Sequence, residues 1–235
     1  MTNCLFCQIA KHQASVDGQP ENVILYESDN FYVKPALGHF VEGYCLVITK
    51  EHARTMAELD AEECIELNGV IDELTDRLKA LYPNSSPNSR CIFEHGAACP
   101  SNRAGACIDH AHLHVLPVHC DLRSRLSGLS GTPVNGVRAL THLHSEIESY
   151  IYYQPEANLG MVYSCHDRIP SQFMRRLVCK QLFLNNDWDW RLSPHRDKIQ
   201  DFLANWFVSF PRQDVPIDTA LEAMTMLRVP GYVES

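Results

Sequence analysis

Short apolar runs separated by turn residues dominate the first half of the chain. Such runs, rich in Val, Ile, Tyr and Phe, are typical of strands. The polar segment at residues 27–30 separates the first two runs and predicts a hairpin connection between them. The pattern therefore predicts an antiparallel meander, followed by further strands. The predicted strands are residues 23–26, 31–33, 43–48, 91–93 and 110–116.

Between the third and fourth strands, apolar residues recur at helical spacing. Asp60 and Glu63 stand at the positions of a capping box, with Asp as the N-cap residue. The sequence therefore predicts a long helix that begins near Asp60 and buries one apolar face. That face comprises Leu67, Ile71, Leu74, Leu78 and Leu81.

The segment after the fifth strand begins without periodicity. Residues 120–136 are rich in Ser, Gly and Arg, and we interpret them as a long loop and a candidate active-site lid. Residues 137–147 predict a short helix. Two aromatic runs, residues 150–153 and 160–163, then predict a hairpin.

The chain changes to helical patterns after about residue 166. One helix is predicted to start at residues 170–171, a second covers residues 199–207, and a short one lies near residues 217–227. Nothing resembling a linker precedes this tail. We therefore expect a domain of residues 1–165 and a helical extension, residues 166–235, that packs on it instead of folding independently.

Composition narrows the classes of partner. Apolar residues make up 45% of the chain and charged residues 21%, which is ordinary for a soluble globular protein. The net charge of −9 argues against binding along a nucleic-acid polymer, and no apolar run approaches the ~20 residues that span a membrane. No secretory signal is visible, so we expect a cytoplasmic protein. Its ten cysteines are then expected as core residues or metal ligands.

Residues 109–117 carry the densest candidate chemistry. His110, His112 and His114 alternate with small or apolar residues, so a strand places the three imidazoles on one face. A neutral imidazole offers one donor and one acceptor and titrates near neutral pH. Three of them on a rigid strand suit a nucleophile, an orienting partner and a proton donor. A polar strand face or a histidine-rich metal cluster is the alternative.

Taken together, these motifs resemble the histidine triad superfamily of nucleotide hydrolases and transferases. The resemblance rests on the C-x-x-C pair at residues 4–7, the strand end at residues 46–52, the long helix and the H-x-H-x-H strand. It implies an α+β fold in which an antiparallel sheet of about five strands, like that of the superfamily, packs against the long helix. The superfamily is commonly dimeric, so a homodimer is expected. Residues 93–96, 107–114, 170–173 and 188–191 further resemble a bacterial subgroup similar to diadenosine-tetraphosphate hydrolases.

The resemblance implies a role for each histidine. His112 would be the nucleophile that attacks the α-phosphorus of a nucleotide, forming a nucleotidyl-histidine intermediate that water resolves. His114 would donate to a phosphate oxygen, and His110 would fix the orientation of the nucleophile. Hydrolases of the superfamily carry His at the third position, so His114 favours hydrolysis over transfer.

Residues outside the triad are candidates for binding the substrate. Gly105, Ala106 and Cys107 stand where the better-known branch has Gly-Gln-Ser, so backbone N–H groups are the expected donors there. Glu94 or His95 stands where the family commonly has Asn. Positive charge is expected from arginine, which binds phosphate through paired hydrogen bonds. The candidates are Arg103, Arg123, Arg125, Arg175 and Arg176, along with the neutral Gln172, and we prefer Arg175 or Arg176.

Cys4, Cys7, His52 and His110 resemble a structural zinc site of some triad proteins. Two cysteines and two histidines form the closed, four-coordinate ligand set of structural Zn²⁺. Such a site would tie the N-terminus to the catalytic strand and hold His110 in place. The alternative is that the cysteines are small core residues and that His52 caps a strand end.

The sequence therefore predicts a nucleotide hydrolase. Its substrate would be a phosphoanhydride or phosphoramidate of a nucleoside monophosphate, similar to a diadenosine polyphosphate. One alternative is a non-catalytic nucleotide-binding module, because the Gln and Ser donors of the loop are missing. The other is a nucleotidyltransferase in a specialised pathway.

Overall fold

The strands join in one antiparallel sheet with the histidine strand near its centre. The computed structural model describes residues 4–12, 18–83, 90–97, 108–143, 149–156, 159–165, 169–184 and 187–211. The strands are β1 (Tyr26–Glu27), β2 (Phe31–Pro35), β3 (Cys45–Thr49), β4 (Cys91–Ala97), β5 (His112–Leu116), β6 (Ser130–Val134), β7 (Ser149–Glu156) and β8 (Leu159–Ser164). Over these residues the sheet has eight strands in the order β1-β2-β3-β5-β4-β7-β8-β6.

Helices cover both faces of this sheet. They are α1 (Leu5–Ala10), α2 (Ala61–Leu81), α3 (Leu140–Leu143), α4 (Phe173–Gln181) and α5 (Arg196–Ser209). Apolar residues of α2 and α5 share one core cluster with Leu113 and Val115 of β5. Residues of α1 and α4 share a second cluster with Leu46 of β3. Because strand residues alternate, His112 and His114 point to the side of α1 and α4, which we call the triad face.

The long helix follows its sequence signals closely. Asp60 accepts hydrogen bonds from the backbone N–H groups of Glu62 and Glu63, each at 2.8 Å. The Glu63 carboxylate accepts from the Asp60 N–H at 2.8 Å, which completes the capping box. Leu67, Ile71, Leu74 and Leu78 of this helix are buried against the sheet, so the predicted apolar face is confirmed.

The α+β class is confirmed, and the sheet is larger than predicted. The expected five strands correspond to β1 through β5, with the histidine strand between β3 and β4. β4 then pairs with β7, and β7 and β8 form the predicted hairpin. With β6 on the outer edge, residues 130–164 extend the sheet by three strands within the described chain.

The prediction of a loop over residues 120–136 is wrong for its second half, which forms β6. This strand lies at the edge of the sheet, and its residues are exposed except for the half-buried Val134. A strand exposed on both faces has no apolar alternation, so periodicity does not mark it. Pro133 lacks an N–H, which an edge strand tolerates. Residues 130–134 are therefore part of the sheet and not of a lid.

Other boundaries shift by a few residues. The first strand is only Tyr26–Glu27, although the Leu25 N–H still donates to the Val33 carbonyl at 2.8 Å. The histidine strand begins at His112, so His110 precedes it. The helix predicted over residues 137–147 is a 3₁₀ turn, Val137–Ala139, followed by α3. The helix predicted near residues 217–227 lies outside the described residues.

The two helices that the structure describes in the C-terminal extension lie on opposite faces of the sheet. α4 packs on the triad face through Met174 and Val178. α5 packs beside α2 through Phe202 and Trp206. The extension therefore packs on the sheet as expected, whereas the domain division at residue 165 stays a prediction. In the described part of the chain, no helix combines the length and the apolar character needed to cross a bilayer.

Candidate active site

A cavity of about 180 Å³ lies on the triad face, between α1 and α4. Phe6 of α1 and Arg175 of α4 line it from the two sides, and His112 and His114 line it from the sheet. A small molecule bound in this cavity would contact the histidines of the triad strand. Its polar lining includes Lys34, His95, His112, His114, Gln172 and Arg175.

His112 has the geometry of a nucleophile. Its Nδ1 lies 2.7 Å from the His110 carbonyl oxygen, and a carbonyl only accepts, so Nδ1 carries the proton and donates it. Nε2 is left with its lone pair. Burial lowers the pKa of His112 to about 4, so the ring is neutral at pH 7. A neutral ring with an oriented tautomer is the nucleophilic form of imidazole.

The tautomer of His114 is set by a buried chain of hydrogen bonds. Arg175 Nη1 donates to the Tyr44 hydroxyl oxygen at 3.1 Å, so the Tyr44 proton is free to donate to His114 Nδ1, 2.6 Å away. The proton of neutral His114 then sits on Nε2. Burial lowers the pKa of His114 well below its usual value. The His112 and His114 rings lie 5.0 Å apart, so both can reach one phosphoryl group.

Replacing Tyr44 by Phe tests this hydrogen-bond chain. The variant leaves His114 Nδ1 without its hydroxyl donor, so the ring can adopt the wrong tautomer. Groups that orient a functional histidine typically contribute about 10- to 100-fold to activity, and we expect a loss of that size in kcat with little change in KM. Tyr153→Phe is the control, because its hydroxyl donates to the Cys120 carbonyl away from the cavity. Equal kcat values for the two variants would contradict the assignment.

Arg175 lines the cavity, but its guanidinium is largely occupied. Nε donates to the Trp188 carbonyl at 2.8 Å, and Nη2 donates to the Gly38 carbonyl at 2.9 Å. Nη1 donates to Tyr44 and, at 3.3 Å, to the Leu37 carbonyl. Four of its five N–H groups therefore hold protein atoms together. Arg175 ties α4 to the segment after β2 and keeps one N–H for a ligand.

His95 and Gln172 also line the cavity and have protein partners. His95 Nε2 accepts from the Met174 N–H at 3.3 Å, and burial lowers the pKa of this histidine to about 3. The Gln172 side chain donates to Asp189 at 3.0 Å and accepts from the Trp190 N–H at 3.4 Å. The residue before α4 is thus fixed to the segment that contains Trp190.

Other predicted substrate-binding residues lie away from the cavity. Glu94 points to the α2 face of the sheet, where its carboxylate accepts from the Met56 N–H and the Tyr150 hydroxyl, each at 2.7 Å. Burial raises the pKa of Glu94 to about 7. Arg176 is exposed and stacks on Trp188, 3.9 Å from the ring centroid.

The remaining arginine candidates have local partners or lie outside the described residues. Arg123 forms an ion pair with Asp121, and Arg125 donates to Gln181 at 2.8 Å. Neither lines the cavity. Gly105, Cys107, Ala106 and Arg103 lie outside the described residues, so the loop before the triad stays a prediction.

The sequence interpretation missed Lys34. It is the fourth residue of β2, only 3% exposed, and it lines the cavity beside the triad. Its Nζ donates to the Pro35 carbonyl at 3.1 Å and lies 5.6 Å from the centroid of the Phe6 ring. The strand predicted from the sequence ends at residue 33 and leaves Lys34 outside it. Continuing the alternation from Tyr32 would have placed Lys34 on the triad face.

The four candidate metal ligands lie together at one end of the triad. The donor atoms of Cys4, Cys7, His52 and His110 are all within 4.8 Å of one another. Cys4 Sγ is 3.3 Å from His110 Nδ1, and Cys7 Sγ is 3.4 Å from His52 Nδ1. Tetrahedral Zn²⁺ with bonds of about 2.0–2.3 Å places its ligand atoms about 3.3–3.8 Å apart. The four side chains could therefore hold a metal ion.

The other nitrogen of the His110 ring supports that arrangement. His110 Nε2 lies 2.8 Å from the Thr49 carbonyl, so it carries the proton and donates it. Nδ1 is then free to bind a metal, as is usual for a metal-ligating histidine held by a backbone acceptor. The carbonyl of the same residue orients His112. A metal bound to His110 would therefore hold the same residue whose carbonyl orients His112.

Comparisons with known proteins identify a family for this part of the chain. The HIT domain family matches residues 17–120, a range that holds α2 and β1 through β5. The adenosine 5'-monophosphoramidase hnt1 of Schizosaccharomyces pombe is 30% identical over 115 residues, which cover 49% of this chain and 74% of that protein.

Two solved structures are among the similar ones. A HIT family protein from Bacillus anthracis is 23% identical, with a TM-score of 0.39 over 49% of this chain and 73% of that one. A Zn-bound histidine triad family protein from Mycobacterium smegmatis is 19% identical, with a TM-score of 0.33 over 61% and 94% of the two chains.

Proposed function

Because this chain belongs to the histidine triad family of nucleotide hydrolases, we propose that it cleaves a nucleoside phosphoramidate or phosphoanhydride through a nucleotidyl intermediate on His112. The observation that carries the proposal is the tautomer of His112. Its Nδ1–H is held by the His110 carbonyl, and its Nε2 lone pair is left for the cavity.

The first step makes and breaks one bond at phosphorus. The Nε2 lone pair of His112 attacks the α-phosphorus, a P–N bond forms, and the leaving group departs with the electron pair of its bond to phosphorus. An amine leaving group also takes up one proton from solvent. The imidazole becomes cationic, and its Nδ1–H remains hydrogen-bonded to the His110 carbonyl. The Nε2–H of His114 donates to a phosphoryl oxygen and stabilises the charge that develops there.

The second step regenerates the enzyme. Water attacks phosphorus and releases a proton to solvent, the P–N bond to His112 breaks, and the nucleoside monophosphate leaves while His112 regains its lone pair. Burial favours this return to the neutral ring, because it lowers the pKa of His112. Splitting one displacement into two easier ones is the advantage of a covalent intermediate.

We propose Zn²⁺ as the occupant of the Cys4, Cys7, His52 and His110 cluster. Two thiolates and two imidazoles leave no open position in a tetrahedral site, so the ion would supply structure instead of catalysis. It would fix the backbone at His110 and therefore the carbonyl that orients His112.

The substrate that we propose first is adenosine 5'-phosphoramidate. The relative in fission yeast is named for adenosine 5'-monophosphoramidase activity. Diadenosine polyphosphates are the second candidate, since the same attack on an α-phosphorus would cleave them. A homodimer and a cytoplasmic location stay predictions.

The test is turnover of the two candidate substrates by the purified protein. We expect ammonia and AMP to be released from adenosine 5'-phosphoramidate, and ammonia, the first product, to appear in a burst equal to the enzyme concentration if the intermediate accumulates. Tight AMP binding without turnover of either compound would favour a binding module and overturn the hydrolase. Transfer of AMP to an added alcohol or phosphate in preference to water would indicate a nucleotidyltransferase.

A further inference from the structure

Lys34 occupies a position from which its side chain can reach the reaction centre. In the register of the sheet, Lys34 lies opposite Leu46, and Leu46 lies opposite His114. The lysine and the third histidine therefore share one cross-strand row, two strands or about 10 Å apart at the backbone. Both line the same cavity, so a small anion between them would contact both.

The Lys34 ammonium has donors to spare. An ammonium group has three N–H groups, and the described partner of Lys34 is a single acceptor, the Pro35 carbonyl. In the described part of the chain, no carboxylate lies within ion-pair distance of Lys34. A buried cation without a paired anion is unfavourable unless a ligand supplies the anion.

The nearest carboxylate on the cavity wall already has a partner. Glu21 lines the cavity and is 6% exposed. Arg196 holds its two carboxylate oxygens with a bidentate pair of hydrogen bonds at 2.6 and 3.0 Å. Glu21 is therefore compensated from the α5 side, and the Lys34 charge remains available.

Arg175 is less suited to bind the phosphoryl group, although it lines the same cavity. Four of its N–H groups are used by protein acceptors, as described above. Lys34 uses one of three. The comparison of free donors favours the lysine as the group that contacts an anionic oxygen, with Arg175 acting through Tyr44.

We propose that Lys34 binds the phosphoryl group that His112 attacks, by donating from its ammonium group to an anionic oxygen on the side of the cavity opposite His114. This inference deepens the proposed function and rests on it. The side chains of Ala106 and Cys107 do not supply the phosphate donors of the better-known branch. Lys34 would supply a donor that also carries positive charge. Phosphoryl transfer depends mainly on such positioning and charge stabilisation.

Electrostatics is consistent with an anion at this position. Burial lowers the pKa of Lys34 to about 8, against the opposing attraction of Glu21 and Cys45. The other charged or titratable groups that line the cavity around it are His112 and His114 of β5, His95 of β4, Arg175 of α4 and Glu21. A bound phosphate would stabilise the charged form of Lys34 and therefore raise its pKa.

The test compares binding of AMP with binding of adenosine, by calorimetry on Lys34→Met. A hydrogen bond to a charged group contributes enough to change affinity about 10- to 100-fold, so we expect the Kd for AMP to rise by that factor. The Kd for adenosine, which lacks the phosphate, should stay the same. Lys180→Met, an exposed lysine of α4, is the matched control and should bind both ligands as the native protein does.

Thermal unfolding separates this role from a structural one. Removing a buried, unpaired charge should leave Tm of Lys34→Met unchanged or raise it by a few degrees. A fall in Tm with parallel losses of AMP and adenosine affinity would assign Lys34 a structural role and overturn the proposal. Equal AMP affinity for Lys34→Met and Lys180→Met would overturn it as well.

The pH dependence provides a second readout. The ammonium form is present below a pKa of about 8 and is lost above it, so AMP affinity should fall between about pH 7 and pH 9 and stay constant in Lys34→Met. The folded protein binds the proton of Lys34 less tightly than the unfolded chain does. The free energy of unfolding should therefore rise as the pH increases from about 8 to 10.5. AMP binding that depends on Lys34, without turnover of any nucleotide, would overturn the hydrolase while leaving this binding role intact.

Discussion

Replacing His112 by Asn is expected to abolish nucleotide hydrolysis while the protein stays folded. The Asn side chain can still donate to the His110 carbonyl, which now accepts from His112 Nδ1, but it offers no nitrogen lone pair for attack on phosphorus. Loss of the nucleophile from enzymes with covalent intermediates lowers kcat about 10⁴- to 10⁶-fold. The measurement is AMP release from adenosine 5'-phosphoramidate, followed by chromatography.

His119→Asn is the matched control for this experiment. His119 follows the same strand and is exposed, so the same substitution there should preserve both kcat and Tm. A Tm for His112→Asn within a few degrees of the control would show that the loss concerns chemistry and not folding. Activity within 10-fold of the control, in contrast, would place the nucleophile elsewhere.

The fold could be predicted where local signals agree with tertiary packing. The Asp60–Glu63 capping box and the apolar face after it predict α2 almost to the residue. The alternation around His112 predicts β5, because its apolar residues must face α2. In both elements, one face is apolar and the other is polar or functional, so the period of the sequence matches the geometry.

The sequence did not predict strands or parts of strands whose two faces do not differ in polarity. β6 is exposed on both faces and leaves no apolar period. β4 is the opposite case, because Phe93 and Glu94 are both buried, on opposite faces of the sheet. The predicted strand ended at residue 93. The sequence therefore did not show that Glu94 lies on the α2 face and His95 on the triad face.

The site shows the same limits at the level of single side chains. Sequence motifs brought attention to Arg175, because arginine suits phosphate, but only the structure shows how many of its donors are occupied. Lys34 has no motif around it. Its position in one cross-strand row with His114 depends on the register between β2, β3 and β5, and a sequence pattern does not contain that register.

The metal cluster is where the structure adds most to the sequence hypothesis. Cys4 and Cys7 lie at the start of α1, His52 follows β3, and His110 precedes β5. The short helix that carries the two cysteines packs on the triad face through Phe6, whose ring contacts His112 at a centroid distance of 5.3 Å. A metal ion would therefore connect three separate segments beside His112.

His52→Ala is expected to remove the metal and to lower Tm by roughly 10 °C or more, because structural zinc contributes its binding energy to folding. His52 is exposed and its described contacts are within the cluster, so truncation alone should cost little. His119→Ala, an equally exposed histidine, controls for that small cost. Elemental analysis should find about one zinc per chain in the native protein and in the control. A native protein without metal, or equal Tm values for the two variants, would contradict a structural zinc site.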